Sequence, residues 1–95
     1  MSVTTGSPNV FADLGFDDET AANLKIRADL MLDLRRAIQE RDWTPEQAAA
    51  EWGEPVSQIQ ALMQGEIDRF TVDELIAMLS RAGMNVRVEV SRAAA

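Results

Sequence analysis

The chain contains no cysteine and no histidine. Without cysteine there are no disulfides and no thiolate chemistry. Without histidine the usual general base and the commonest metal ligand are missing. No uninterrupted apolar run is long enough to span a bilayer, and the N-terminus lacks a basic-then-apolar signal pattern. These absences predict a cytoplasmic protein that is not an enzyme, binds no cofactor or metal, and stays off the membrane. Basic charge is also scarce. Sixteen acidic residues against nine basic ones give a net charge of −7, which opposes non-specific affinity for nucleic acid or anionic lipid over the surface as a whole. The scarcity is sharpest over residues 43–66, WTPEQAAAEWGEPVSQIQALMQGE. That stretch holds Glu46, Glu51, Glu54 and Glu66 but no lysine or arginine. Any local basic patch has to come from Lys25, Arg27, Arg35, Arg36, Arg41, Arg69, Arg81, Arg87 or Arg92, all outside it.

What is present fits one small folded domain. Ninety-five residues, 46% apolar and 26% charged, are enough for a modest core. Residues 1–9 are small and polar and are expected to be loose, with residues 10–95 forming a single domain. The segment VFADLGF is expected to dock Phe11, Leu14 and Phe16 onto the core; the competing reading is an exposed apolar hook for a partner. A long helix follows over about 18–41. Acidic residues lie at its start and Arg35, Arg36 and Arg41 at its end, as the helix dipole favours. Leu30, Met31, Leu34, Ala37 and Ile38 fall at helical spacing as its core stripe, with Ile26 one turn back.

The next two helices make the motif, residues 44–65. Thr44, Pro45 and Gln47 spell a capped helix start with a T-x-x-Q capping box. Ala48, Ala49 and Trp52 supply its buried side, and Gly53 ends it in a left-handed turn. A helix from Pro55 turns Val56, Ile59, Leu62 and Met63 inward and Ser57, Gln58, Gln60, Ala61 and Gln64 outward, and Gly65 closes it. Two short helices joined by a tight glycine turn are the layout of a helix-turn-helix. Thr71 and Glu74 form a second capping box that opens another helix, stopped by Gly83. The period then switches to two. Met84, Val86, Val88 and Val90 alternate with Asn85, Arg87 and Glu89, which predicts a half-buried strand over 84–90. A lone strand leaves its backbone groups unpaired, so the strand is expected to pair with its copy across a twofold axis, through Val86, Val88 and Val90. Pairing with residues 8–12 of the same chain is the alternative.

Taken together, GSPNVFADLGF, AAAEWG, IQALMQG, FTVDEL and the glycine before an alternating valine strand resemble the short XRE-type helix-turn-helix proteins. Many of those are HigA-like antitoxins. The resemblance runs from about residue 6 to 90. It implies a mainly α, lambda-repressor-like domain with a C-terminal β-strand, a homodimer, a palindromic operator and often a toxin partner. The departures lie in the reading surface. Where the family has a glutamine after the capping threonine, this chain has Pro45. Basic residues usual on either side of the closing glycine are replaced by Gln64 and Glu66.

Two functions follow. The first is a sequence-specific DNA-binding transcriptional regulator, antitoxin-like and autorepressing. In it Ser57, Gln58, Gln60 and Gln64 read bases, as glutamine can contact adenine in the major groove, and Thr44 and Gln47 sit at the phosphate-facing start of the first motif helix. The three glutamines as a plain solvated helix face are the competing reading. The second function is a protein-binding module that neutralises a toxin, with weak or no DNA binding.

Overall fold

A computed structural model describes residues 2–3 and 9–92 of the chain. Most of the loose segment expected over 1–9 therefore lies outside the described residues. Five α-helices form the body: α1 (Val10–Asp13), α2 (Asp18–Glu40), α3 (Pro45–Trp52), α4 (Val56–Met63) and α5 (Val72–Arg81). A 3-10 turn, Ile67–Arg69, links α4 to α5. Two short strands, β1 (Ser2–Val3) and β2 (Arg87–Val88), pair with each other.

Helix α2 is the spine, and it begins and ends as local chemistry dictates. The Asp17 carboxylate caps it, accepting from the Thr20 amide at 2.8 Å and the Thr20 hydroxyl at 3.1 Å. These bonds, the amide foremost, hold Asp17 below the usual carboxylate range. Because the folded pKa is lowered, this support is present above the ordinary carboxylate pKa and is lost as pH falls through the lowered value. At the other end, Asp42 adopts a left-handed φ of 55°, and the Trp43 amide reaches back to the Ile38 carbonyl at 3.1 Å. That closure favours glycine. Asp42→Gly is therefore expected to raise stability by about 0.5–1 kcal/mol, read as a higher urea midpoint. An unchanged or lower midpoint would show that the aspartate side chain compensates for its backbone strain.

The core contains the expected α2 stripe, with Leu30, Leu34 and Ile38 sealed from solvent. Ile26, half-buried, packs against this core one turn back, as expected, and Ala21 and Leu24 are buried further toward the N-terminus. Helix α5 lays Leu75, Met78 and Leu79 on α2, while α3 and α4 bring Ala48, Ala49, Trp52, Ile59 and Leu62. Ala61, expected to face outward, is only 1% exposed. Helix α4 is wedged between α3, α2 and the 3-10 turn, so its apolar arc is wider than one stripe and takes in a small residue at the crossing. Arg27 fastens the 3-10 turn to α2 by donating from Nη1 to the carbonyls of Ile67 (3.1 Å) and Phe70 (3.4 Å).

Two expectations are corrected. Phe11 is half-buried, but Leu14 and Phe16 do not dock on the core: they are 73% and 46% exposed. The segment makes its own four-residue helix, α1, packed on α2. So short a helix buries little beyond the one ring that faces inward. The strand expected over 84–90 is paired only at Arg87–Val88, and its partner is Ser2–Val3 of the same chain, in parallel register. Neither the absence of an intrachain partner nor the alternative at residues 8–12 matches this arrangement. Met84 and Val86 pack against the core, whereas Val88 and Val90 are 58% and 86% exposed. The alternation stops burying side chains once the chain leaves α5.

Candidate nucleic-acid interface

The motif is braced by contacts within it and from its neighbours. Its first helix opens on a reciprocal capping box. The Thr44 amide donates to Gln47 Oε1 at 2.8 Å, and the Gln47 amide donates to Thr44 Oγ1 at 3.2 Å. Pro45 takes the first helical position, where a missing amide costs nothing. Gly53 ends α3 at φ 66°, and the Glu54 amide closes back on the Ala49 carbonyl at 3.0 Å. The turn is then clamped from outside the motif. Arg81 of α5 donates from Nη1 to the Glu54 carboxylate at 2.5 Å and to the Trp52 carbonyl at 3.4 Å. Trp52 meets Trp43 edge-to-face with ring centroids 5.9 Å apart, which ties α3 to the end of α2.

Helix α4 carries the candidate base-reading residues. Ser57, Gln60 and Gln64 are exposed on it. Gln58 is half-buried, and its Nε2 leans toward α5, within 3.4 Å of the Arg69 carbonyl and 3.5 Å of Glu74 Oε2. Thr44 and Gln47 are exposed but bonded to each other through the capping box, which leaves the Gln47 Nε2 donors unused by it. The two helix starts differ. No side chain caps α4, so the amides of Val56 and Ser57 have no side-chain acceptor. Such amides suit an anionic oxygen.

Folding changes which charges stand free. Glu54 is neutralised by Arg81, so the exposed acids of the motif are Glu46, Glu51 and Glu66. Arg41, one of the residues available for a local basic patch, is instead committed: it donates to the Ala82 carbonyl at 2.9 Å and lies 5.1 Å above the Trp43 ring. Of the nine basic residues, Lys25, Arg27, Arg41, Arg81 and Arg87 are engaged in braces or ion pairs. Arg69 is exposed, directly beside the motif, and its guanidinium has no hydrogen bond or ion pair among the described residues. The Arg81 clamp left no trace in the sequence, because its partners lie about thirty residues away.

At the start of α5, Thr71 Oγ1 accepts from the Glu74 amide at 3.1 Å, as anticipated. The Glu74 carboxylate, however, takes the Thr71 hydroxyl at 3.1 Å rather than the Thr71 amide. The expected reciprocal box is therefore only half formed there.

Among the described residues no helix is long and apolar enough to cross a membrane, and no group of three or more potential metal ligands gathers. No curated protein and no solved structure matches the chain. One family does match, over residues 10–91, and its description is that of a helix-turn-helix domain. The matched span runs from the first residue of α1 past the end of β2, so the flanking elements belong to the unit along with the motif. The capping box, the left-handed Gly53 and the exposed polar face of α4 all lie within the matched span, and the chain belongs to the helix-turn-helix domain family.

Proposed function

We propose that the protein is a sequence-specific DNA-binding transcriptional regulator of the XRE type, acting as a homodimeric, antitoxin-like repressor of its own operon. The observation that carries this reading is the surface of α4. An uncharged polar face of Ser57, Gln60 and Gln64 stands beside an uncapped helix start, on a motif braced by Arg81. In a major groove these side chains would read base edges while the Val56 and Ser57 amides and Arg69 hold phosphates. Gln58 would join them by leaving two long, weak contacts. Gln47, with its Oε1 engaged by Thr44, would offer Nε2 to the backbone, and Thr44 would position it.

A DNA fragment from the protein's own promoter is expected to shift with this protein at low salt. The slope of log affinity against log salt should be shallow, since few side chains neutralise phosphate. Gln60→Ala should cost about 1–3 kcal/mol, confined to one base position per half-site. No shift at micromolar protein and low salt would end the regulator reading, and a loss equal for all sequences would end Gln60's assignment as a base reader.

Dimerisation is proposed at the outer edge of β2, where Val88 and Val90 are exposed and Val86 anchors the strand to the core. The described sheet has only two strands, so β2 has an edge without a neighbouring strand there. Val88→Pro removes a backbone donor from that ladder and should convert dimer to monomer in sedimentation equilibrium. A dimer of unchanged mass would exclude this edge.

A further inference from the structure

We propose that the α1 surface, a knob of Val10, Leu14 and Phe16 collared by carboxylates, docks a second, basic protein that presents an apolar groove rimmed by lysines and arginines. Six large hydrophobic side chains are exposed among the described residues, and three of them fall within these seven positions. Val10 and Leu14 are one turn apart, their backbones joined by a 3.0 Å hydrogen bond. Phe16 folds back so that its ring meets Phe11 edge-to-face at 6.3 Å. The knob is held in place beforehand. The Asn9 side chain accepts from the Phe11 amide at 3.0 Å and donates to the Ala21 carbonyl at 2.8 Å, fixing α1 to α2. A preformed apolar surface loses little entropy on binding, and contiguous exposed apolar groups mark interaction sites.

The collar says which partner. Asp13, Asp17, Asp18 and Glu19 are all exposed, on α1 or within three residues of Phe16. No lysine or arginine occurs before Lys25, and the cation that shares a cavity with this segment is Arg35, beside Phe11. The hydrogen bonds from Thr20 keep Asp17 ionised. Such a collar repels nucleic-acid phosphates and anionic lipid. It equally opposes a second copy docked face to face, which would set two collars against each other. A groove with a cationic rim satisfies both the apolar centre and the acidic edge, in the manner of helix-in-groove recognition. This inference rests on the antitoxin-like part of the proposed function, which calls for a protein partner, and not on its DNA-binding part.

The test uses the full chain and a fluorescein-labelled amphipathic peptide of leucine and lysine, followed by anisotropy at physiological salt without DNA. The peptide should bind, and Leu14→Ser with Phe16→Ser should weaken it about tenfold or more. Asp13→Asn with Asp18→Asn and Glu19→Gln should weaken it several-fold, and Ser57→Ala with Gln60→Ala should leave it unchanged. Equal binding by a control peptide with serine in place of leucine would overturn the proposal, because charge alone would then suffice. Full affinity in the Leu14/Phe16 variant would also overturn it, placing binding on the acidic face of α3 and α4. A sedimentation mass that falls in that variant would overturn it in favour of a second copy. Should the variant melt early, the carboxylate triple variant and the serine control peptide decide together. Weakened binding by the triple variant with no binding of the control supports the knob, and unchanged binding by the triple variant or equal binding of the control removes it. Operator binding is absent from this experiment, so its failure and the failure of the knob are read separately.

Discussion

Trp52→Ala is expected to bring the domain close to unfolding at room temperature. Trp52 is 2% exposed at the end of α3, and truncating a buried Trp or Phe costs about 3–5 kcal/mol through lost burial and the cavity left behind. A chain of 95 residues has a total stability of about 5–14 kcal/mol, so this single change removes a large part of it. The melting temperature should fall by about 20 °C, followed by far-UV circular dichroism. The alanines around the site sharpen the cost. Ala48 and Ala49 are buried on the same helix, and neither can swing in to fill the void. Trp43→Ala is the comparison. Trp43 is half-buried and packs on the core from its edge, so its loss should cost about a third to a half as much. A loss of less than about 1 kcal/mol would mean that Trp52 does not anchor α3 to the core.

Gln64→Arg combined with Glu66→Lys is expected to raise affinity for promoter DNA about tenfold to a hundredfold at low salt, with a salt slope steeper by about 2. Both positions are exposed at the end of α4, on either side of the left-handed Gly65, so new cations can reach phosphate without disturbing the core. The changes add one and two charges respectively, moving the net charge from −7 to −4. Arg35 modestly opposes them, since its Nη1 lies 3.3 Å from where a Cβ on Gly65 would stand, but exposed charges there are screened by salt. Measured slopes for the parent and the double variant separate two causes of tighter binding. A gain in affinity with no steepening would mean that the new side chains act on the protein's own fold and not on phosphate. No gain at all would mean that this end of α4 does not approach DNA.

Much of the scaffold was legible because its determinants are local. The Thr44–Gln47 capping box, the Gly53 ending and the α2 stripe each depend on residues within a few positions of one another, and each appears where expected. The site was legible only in outline. The spacing placed Ser57, Gln60 and Gln64 on the outer face of α4, and they are exposed. It also placed Gln58 and Ala61 there. Gln58 is instead drawn toward Arg69 and Glu74, eleven and sixteen residues on, and Ala61 is covered by the helices that embrace α4. A helical wheel assumes one neighbour, whereas α4 has several.

The amino-acid pattern by itself determined a mainly helical chain with a helix-turn-helix at 44–65, because caps, glycine turns and apolar periodicity act over single turns of backbone. Only the tertiary structure decided which charges remain available. Arg81 neutralises Glu54 from 27 residues away, Arg41 is committed to Ala82 across 41, and Arg27 holds Ile67 across 40. It also turned the α1 segment outward and gave β2 a partner at the far end of the chain. Local rules state which backbone forms. Whether a cation meets a carboxylate, a carbonyl or a phosphate depends on which surfaces the folded helices bring together.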